Sequence, residues 1–264
     1  MSTGSQTAVL APDAVDAVDA GDAARARSLS LAKVLSARYA QADAQELLRA
    51  MIEDEFPGRI ALVSSFGAEA AVLLHMVAAI APATPVIFLN TGKLFGETLR
   101  YRDQLVRTCG LTDVRSIQPD LRQVDAVDPD GVLWYGNPDM CCFVRKVEPL
   151  RRALQDFDAS ITGRKRFQGG ERAGLAPIEA ADDGKIKINP LAGWDKAAIE
   201  AYFSRHDLPR HPLEADGFLS IGCMPCTDRV KPGENARAGR WRHADKTECG
   251  IHLSRAHWQM NGID

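Results

Sequence analysis

The sequence predicts an α/β fold, with a mostly parallel sheet covered by helices on both faces and an irregular C-terminal segment over the active edge. Three observations predict it. Short β-rich runs such as "RIALVSSF" and "TPVIFLN" alternate with helical stretches, the order that produces parallel strands covered on both sides. At 264 residues the chain can bury a large core. From Leu208 onward Pro, Gly and charged residues dominate, so this part continues neither the strand nor the helix period.

The elements follow in chain order. The opening "MSTGSQTAVLAPDAVDAVDAGDAA" repeats Ala and Asp and predicts a disordered extension over residues 1–28, because it offers little apolar surface to bury. "SLAKVLSARYA" and "DAQELLRAMIEDEF" read as helices, the second opened by Asp43 and Glu46 at capping-box spacing. "RIALVSSF" is the first strand and "AEAAVLLHMVAAIA" the next helix, with His75 on its packed face. "TPVIFLN" is the second strand. "GETLRYRDQLVRTCG" is a helix closed by Gly110, the C-terminal place that favours glycine. "DVRSIQP" and "ASITG" give two more strands, separated by the helical "CCFVRKVEPLRRALQDF", where Pro149 predicts a kink or a new start. "LAPIEAADDGKIKINPL" reads as two strands joined by a turn at Asp183-Gly184. "DKAAIEAYFSRHD" is a helix with Asp195 at its start. This divides the chain into the extension, an α/β domain over 29–230 and a mobile tail over 231–264.

Composition narrows the function classes. A net charge of −3 gives no reason to expect a nucleic-acid partner. The longest apolar runs are too short to span a bilayer, and no basic flank precedes the N-terminal apolar residues. A cytoplasmic location follows as the expectation, where thiols stay reduced and the six cysteines are read first as metal ligands or catalysts. A homo-oligomer is compatible with the sequence.

Ligands of such a sheet bind at the carboxyl ends of the strands. There "SSFGAEAA" supplies Ser64, Ser65 and Gly67 at a strand-to-helix turn, and "LNTG" supplies Thr91 at the same edge. Gly allows close backbone approach and a helix start offers free N–H groups to an anion. Cys141 and Cys142 are adjacent, and "GCMPC" adds Cys223 and Cys226. Four thiolates match tetrahedral zinc or a [4Fe–4S] cluster, and the adjacent pair favours the cluster. Cys109 reads as an inert packed thiol, and Trp194, Trp241 and Trp258 as packing anchors. Cys249 stands apart in "DKTECGIHL", among charged residues near the C-terminus. Its setting suits a nucleophile better than a packed thiol. Glu248 beside it reads as a residue tuning tail solubility.

Taken together, "CCFVRKVEPL", "GCMPCTDRVKPGE", "GRW" and "KTECGIHL" resemble the assimilatory sulfonucleotide reductases, in their bacterial adenosine 5′-phosphosulfate (APS) reductase branch. "SSFGAEAAVLLH", "LNTG" and "ITGRKRFQ" fit as well, so the resemblance runs from about residue 40 to the end. It implies an adenine nucleotide α-hydrolase-like fold and a [4Fe–4S] cluster on Cys141, Cys142, Cys223 and Cys226. It implies Cys249 as the catalytic nucleophile and thioredoxin as the reductant. Lys146, Arg237, Arg240 and His252 match groups that surround the phosphosulfate. Arg166 and Arg172 match a further arginine pair, although Phe167 replaces the acidic residue usual in that run. The expected reaction is attack by Cys249 on the sulfur of APS, release of AMP, and discharge of sulfite by a dithiol protein. One alternative is a reductase of the 3′-phosphorylated nucleotide (PAPS), with Lys165 or Arg166 facing the extra phosphate. Another is an ATP-dependent tRNA-sulfur transferase with structural zinc, although "SSFGAEAA" lacks the "SGGxDS" such a loop needs. A third is a non-catalytic iron–sulfur regulator, which would leave Cys249 unused.

Overall fold

The computed structural model describes residues 12–260, 262 and 263. Helices α1 (Pro12–Arg38) and α2 (Ala44–Arg49) precede strand β1 (Ile60–Val63). Then come α3 (Ala70–Ile80), β2 (Val86–Leu89), α4 (Gly96–Cys109) and β3 (Val114–Ile117). Helices α5 (Leu121–Val127), α6 (Leu133–Gly136), α7 (Pro138–Cys142) and α8 (Glu148–Ala153) lead to β4 (Ala159–Ile161). The hairpin β5 (Ile178–Ala180) and β6 (Ile186–Ile188), helix α9 (Lys196–Arg205) and helix α10 (Arg255–Met260) complete the order. Among the described residues no helix is long and apolar enough to cross a membrane.

The six strands lie in the order β3-β2-β1-β4-β6-β5. All neighbouring pairs are parallel except β5 with β6. The period-2 alternation of a strand explains the two cores. Ile60, Leu62, Val86 and Phe88 face one side, where they pack with residues of α1, α2, α3, α4 and α9. Ala61, Ile87 and Leu89 face the other, against Leu154 and Phe157. Because the chain leaves β1 toward β2 on one side and returns to β4 on the other, the strand order reverses between β1 and β4. That reversal opens a crevice at the carboxyl ends of the two strands.

Local signals decided many of the boundaries. The Asp43 side chain accepts from the Gln45 and Glu46 amides while Glu46 reaches back to Asp43. Asp195 accepts from Ala198 N, and Gly110 closes α4 with φ +69°. The extension differs from its expectation. Residues 12–28 belong to α1, while residues 1–11 lie outside the described residues. Alanine has the highest helix propensity, and tertiary contacts add to it: Ser28, Ala32 and Leu35 are buried, and Arg25 pairs with Asp182 at 3.3 Å. Pro149 marks the new start expected: a π-helical turn over Phe143–Val147 joins α7 to α8 and sets Pro149 in the first turn of α8, where proline is favoured.

His211 holds the segment that carries the later cysteines. It is 1% exposed; its Nδ1 accepts from Leu213 N at 3.2 Å, and its Nε2 lies 3.1 Å from Thr98 Oγ1. Leu213 in turn packs on Ile221 and Ala68. Nδ1 must stay unprotonated to accept, and burial lowers the His211 pKa to about 4 from 6.5. The unfolded chain therefore binds more protons between those two values. Stability should rise with pH across this window and be lost as pH falls from about 6.5 toward 4, by about 3 kcal/mol. Urea unfolding at pH 4.5 and pH 7 measures it. His211→Asn, which keeps an acceptor for Leu213 N, should remove most of that pH dependence.

Candidate active site

The crevice between β1 and β4 holds a cavity of about 200 Å³. Ser64, Ser65 and Gly67 line it from the loop after β1, and Arg164, Lys165 and Gln168 from the loop after β4. Gly67 is closely packed: a β-carbon there would meet Ile221 O at 3.2 Å. The loop is pinned by Phe66, which takes a left-handed φ of +49° and sinks its fully buried ring against Phe88. Lys146 enters from the π-helical turn, and Arg237, Arg240, Cys249 and His252 enter from the C-terminal segment.

Cys249 stands at the meeting point. Its Sγ lies 3.7 Å from Lys146 Nζ. The thiol of Cys142 donates to it, and Lys146, the Ile251 amide and Arg240 add to that bond, so the Cys249 thiol is held well below its usual pKa. Cys142 is correspondingly pushed up, first by that bond and then by burial. Burial opposes the charge on Lys146, yet the sulfurs of Cys223, Cys249 and Cys142 hold its pKa above the ordinary lysine value. The pair thus sets a thiol of lowered pKa against an ammonium. His252 is driven the other way: burial and the nearby Arg164 and Arg172 hold it well below an ordinary histidine. Its Nδ1 is buried with no partner in the structure.

Cys141, Cys142, Cys223 and Cys226 are all under 10% exposed. Cys223 and Cys226 share an apolar cluster with Trp241, which Cys249 packs against. Burial, with Cys223 nearby, raises Cys141 to about 11, and Cys226 is raised for the same reasons. Among the described residues no three His, Cys, Asp or Glu side chains converge on a single-ion site. Trp241 is 2% exposed and its indole N–H has no partner in the structure. A buried donor without an acceptor is costly, and an acceptor sulfur among these thiols would meet the need. Trp241 is therefore more than the packing anchor expected. Thr91 also departs from expectation. It is fully buried, lies outside the cavity lining, and sets its Oγ1 3.3 Å from Cys223 Sγ. Arg145 donates to the Thr91 carbonyl at 3.0 Å and to Asp128 at 2.7 Å, tying the Cys141–Cys142 segment to this wall.

The largest difference concerns Glu248. Instead of facing solvent it is 4% exposed. It accepts from Arg172 at 2.5 and 2.8 Å, from Arg237 at 3.1 Å and from the Cys249 amide at 2.7 Å. Burial opposes its charge, but Arg172 and Arg237 hold its pKa below the usual carboxylate range. Arg172 also donates to Gln168, and Gln168 donates to Glu69 at 3.1 Å. Lys165 completes the chain with a 2.8 Å bond to Glu69. One wall of the cavity is thus a continuous polar relay from the start of α3 to Cys249. Arg166 takes no part: it is exposed, and its Nε donates to Leu175 O at 2.7 Å, because the short 3₁₀ turn over Arg166–Gln168 aims it outward. The carboxylates Glu248 and Glu69 gave no sequence signal beyond their places beside Cys249 and at the start of a helix.

The segment around Cys249 is docked on both sides. Lys246 pairs with Asp139, two residues before Cys141, and His257 lies 3.1 Å from the same carboxylate. Trp258 and Ile263 bury themselves against Val147. Glycines of this segment serve close packing. A β-carbon on Gly250 would meet Trp258 at 3.0 Å and Cys142 at 3.1 Å, and one on Gly239 would strike Asp228 O. Gly233 alone of the three has a left-handed φ, +85°, with open space around it.

The sequence profile described as "Phosphoadenosine phosphosulfate reductase domain" matches residues 59–229. A protein of Mesorhizobium japonicum named adenosine 5′-phosphosulfate reductase is 51% identical over 220 residues, 83% of this chain and 86% of that protein. A protein of Gloeobacter violaceus named phosphoadenosine 5′-phosphosulfate reductase is 39% identical, over 75% of this chain and 83% of that one. The crystal structure of phosphoadenylyl-sulfate reductase from Candida auris, a phosphate complex, superposes with a TM-score of 0.63 at 27% identity. It covers 75% of this chain and 96% of that one.

Removing Glu248 would leave two buried guanidinium groups without their carboxylate, a change that costs about 3–5 kcal/mol. In Glu248→Ala the C-terminal segment should open more often, so alkylation of Cys249 by iodoacetamide should accelerate about tenfold or more. Peptide mass mapping of the alkylated protein measures it. Equal rates in variant and parent would mean that the carboxylate does not hold the segment.

Proposed function

The chain belongs to the phosphoadenosine phosphosulfate reductase family, and from that premise we propose that it reduces APS to sulfite and AMP, with Cys249 as nucleophile and a thioredoxin-class dithiol as reductant. The observation that carries this reading is the Cys249–Lys146 pair at the open crevice between β1 and β4, with Arg240 beside it.

The chemistry follows from the charges. The sulfur of APS is electrophilic but surrounded by anionic oxygens, which repel an incoming thiolate. Fixed cations offset that repulsion where the charge develops. Lys146 and Arg240 serve the sulfonate, with Arg237 and Arg172 beside them; neutral His252 can donate a hydrogen bond without adding charge. The loop of Ser64, Ser65 and Gly67 at the start of α3 receives the nucleotide. The Cys249 thiolate attacks sulfur, the bond from sulfur to the bridging oxygen breaks, and AMP leaves as an anion. Cys249 then carries an S-sulfonate. A thiolate of the dithiol protein attacks the Cys249 sulfur and sulfite leaves with the bonding pair. The second thiol resolves the mixed disulfide, so both electrons come from the dithiol. The partner needs access to Cys249, and movement of the 231–264 segment about the turn at Gly233 would provide it.

The family's iron–sulfur centre fits the residues present. Cys141, Cys142, Cys223 and Cys226 would hold a [4Fe–4S] cluster. Thiols this deeply buried would not ionise without a compensating cation, and the Trp241 N–H lacks an acceptor. When bound, the cluster supplies positive iron that keeps the four thiolates buried and adds to the field around Lys146. The zinc-dependent sulfurtransferase alternative has no support in this family membership, and a purely regulatory role would leave the Cys249–Lys146 pair without use.

Two outcomes test the proposal. Incubation of the reduced protein with APS should add one SO₃ group to Cys249 by mass spectrometry, and a dithiol should remove it. Cys249→Ser should lose sulfite formation by about a thousandfold or more while still binding AMP. Sulfite formation by that variant would refute the mechanism. Separately, Cys223→Ser should abolish the brown colour and lower bound iron from about four per chain, read by absorbance and iron assay.

A further inference from the structure

Relatives of this chain carry the names of reductases of both APS and its 3′-phosphorylated form. We propose that Glu69 is a specificity-determining residue that excludes the 3′-phosphorylated nucleotide, by occupying Lys165 and the start of α3. This inference rests on the sulfonucleotide reading above and adds to it the group that sets the choice of substrate.

The argument begins with placement. The reacting sulfur must meet Cys249, so the 5′ end of the nucleotide lies among Lys146, Arg237 and Arg240. The nucleoside then extends along the rest of the cavity, between the loop after β1 and the loop after β4. These two loops bring Glu69, Arg164 and Lys165 into the lining, and Arg164 is already bonded to Glu179 at 2.7 Å. A 3′-phosphate adds close to two negative charges at neutral pH and would need a cation there.

Lys165 is not free to supply it. Its side chain is 3% exposed, and it donates to Glu69 at 2.8 Å and to the Gly163 carbonyl at 2.9 Å. Gln168 holds the same Glu69 oxygen at 3.1 Å from the other side. Glu69 also occupies the N-cap of α3 without making a capping bond. A helix start ordinarily attracts an anion, and here a carboxylate already sits beside it. Arg166, the other cation that could have faced a 3′-phosphate, is bound outside the cavity to Leu175 O.

The remaining charges agree. Arg172 and Arg237 are shared with Glu248, Arg164 with Glu179 and Lys165 with Glu69. Among the described residues Lys146 and Arg240 form no ion pair with a carboxylate, and Lys146 faces only the Cys249 sulfur at 3.7 Å. These two cations are the ones left for the phosphosulfate, and none remains for a further phosphate.

The test compares AMP with adenosine 3′,5′-bisphosphate by titration calorimetry, and APS with PAPS by the rate of Cys249 sulfonation. It uses the full-length parent, Glu69→Gln and Glu69→Ala. Glu69→Gln keeps an oxygen for Lys165 and so guards against a merely unfolded variant. The parent should favour AMP and APS. Both variants should shift each preference toward the 3′-phosphorylated partner by about tenfold or more, and the shift should shrink as salt is raised. Unchanged preferences in both variants, with AMP still bound, would overturn the role of Glu69 alone. Failure of the parent to bind AMP at all would instead defeat the reductase reading on which it rests.

Discussion

A pocket lined with several cations must survive folding without a ligand to neutralise them. Glu248 resolves the difficulty here. Its buried carboxylate accepts from two arginines that would otherwise repel each other across the cavity, and it binds the amide of the neighbouring Cys249. Removing charges from water is expensive, and a buried ion pair contributes only when its geometry is good and its remaining donors are satisfied. Arg172 meets the condition with a two-bonded fork to Glu248 and a further bond to Gln168. The relay from Lys165 through Glu69, Gln168, Arg172 and Glu248 then makes one wall of alternating charge. The position of Cys249 is a by-product of that neutralisation, because the carboxylate and the thiol are consecutive residues.

The sheet decides where this wall stands. Reversal of strand order between β1 and β4 brings the loop carrying Glu69 opposite the loop carrying Lys165. The π-helical turn decides what faces it. Phe143–Val147 departs from regular helix immediately after the adjacent cysteines, and within that turn Arg145 and Lys146 take opposite tasks. Arg145 points inward to Asp128 and Thr91, bracing the thiol-bearing segments. Lys146 points into the crevice and meets Cys249. A π turn widens the helix by one residue and is frequent at functional positions.

Thiols gathered at this site are driven in opposite directions by small differences of setting. Burial raises Cys141 and Cys226, and the bond with Cys249 followed by burial raises Cys142, against the opposing pull of Lys146, Arg145 and Arg240. Cys249 is less buried, and the hydrogen bond from Cys142 and the Lys146 ammonium hold its pKa well below the usual thiol value. Cys109, on the far side of α4, has burial acting alone and is raised to about 11, the expected state of an inert packed thiol.

Much of the fold was legible in the chain because its signals are local. Asp43 with Glu46, Asp195, Gly110 and the Asp183-Gly184 turn each act within four residues, so their spacing suffices to place an element end. The order of strands and helices, the paired cysteines and the isolated Cys249 were legible for the same reason. The site's electrostatics were not. Glu248 meets Arg172 across 76 positions, and Glu69 meets Lys165 across 96. No periodicity announces such a pairing; only the reversal of the sheet and the return of the C-terminal segment bring the partners together. The same holds where expectation and structure part: Thr91 sits on a cysteine and Arg166 faces outward because neighbouring segments, not their own sequence, set their direction. Sequence determined which chemical groups this protein possesses and roughly which element carries each. Tertiary structure decided which charges cancel and which stay available, because Coulomb energy in a desolvated crevice depends on distances between segments far apart in the chain.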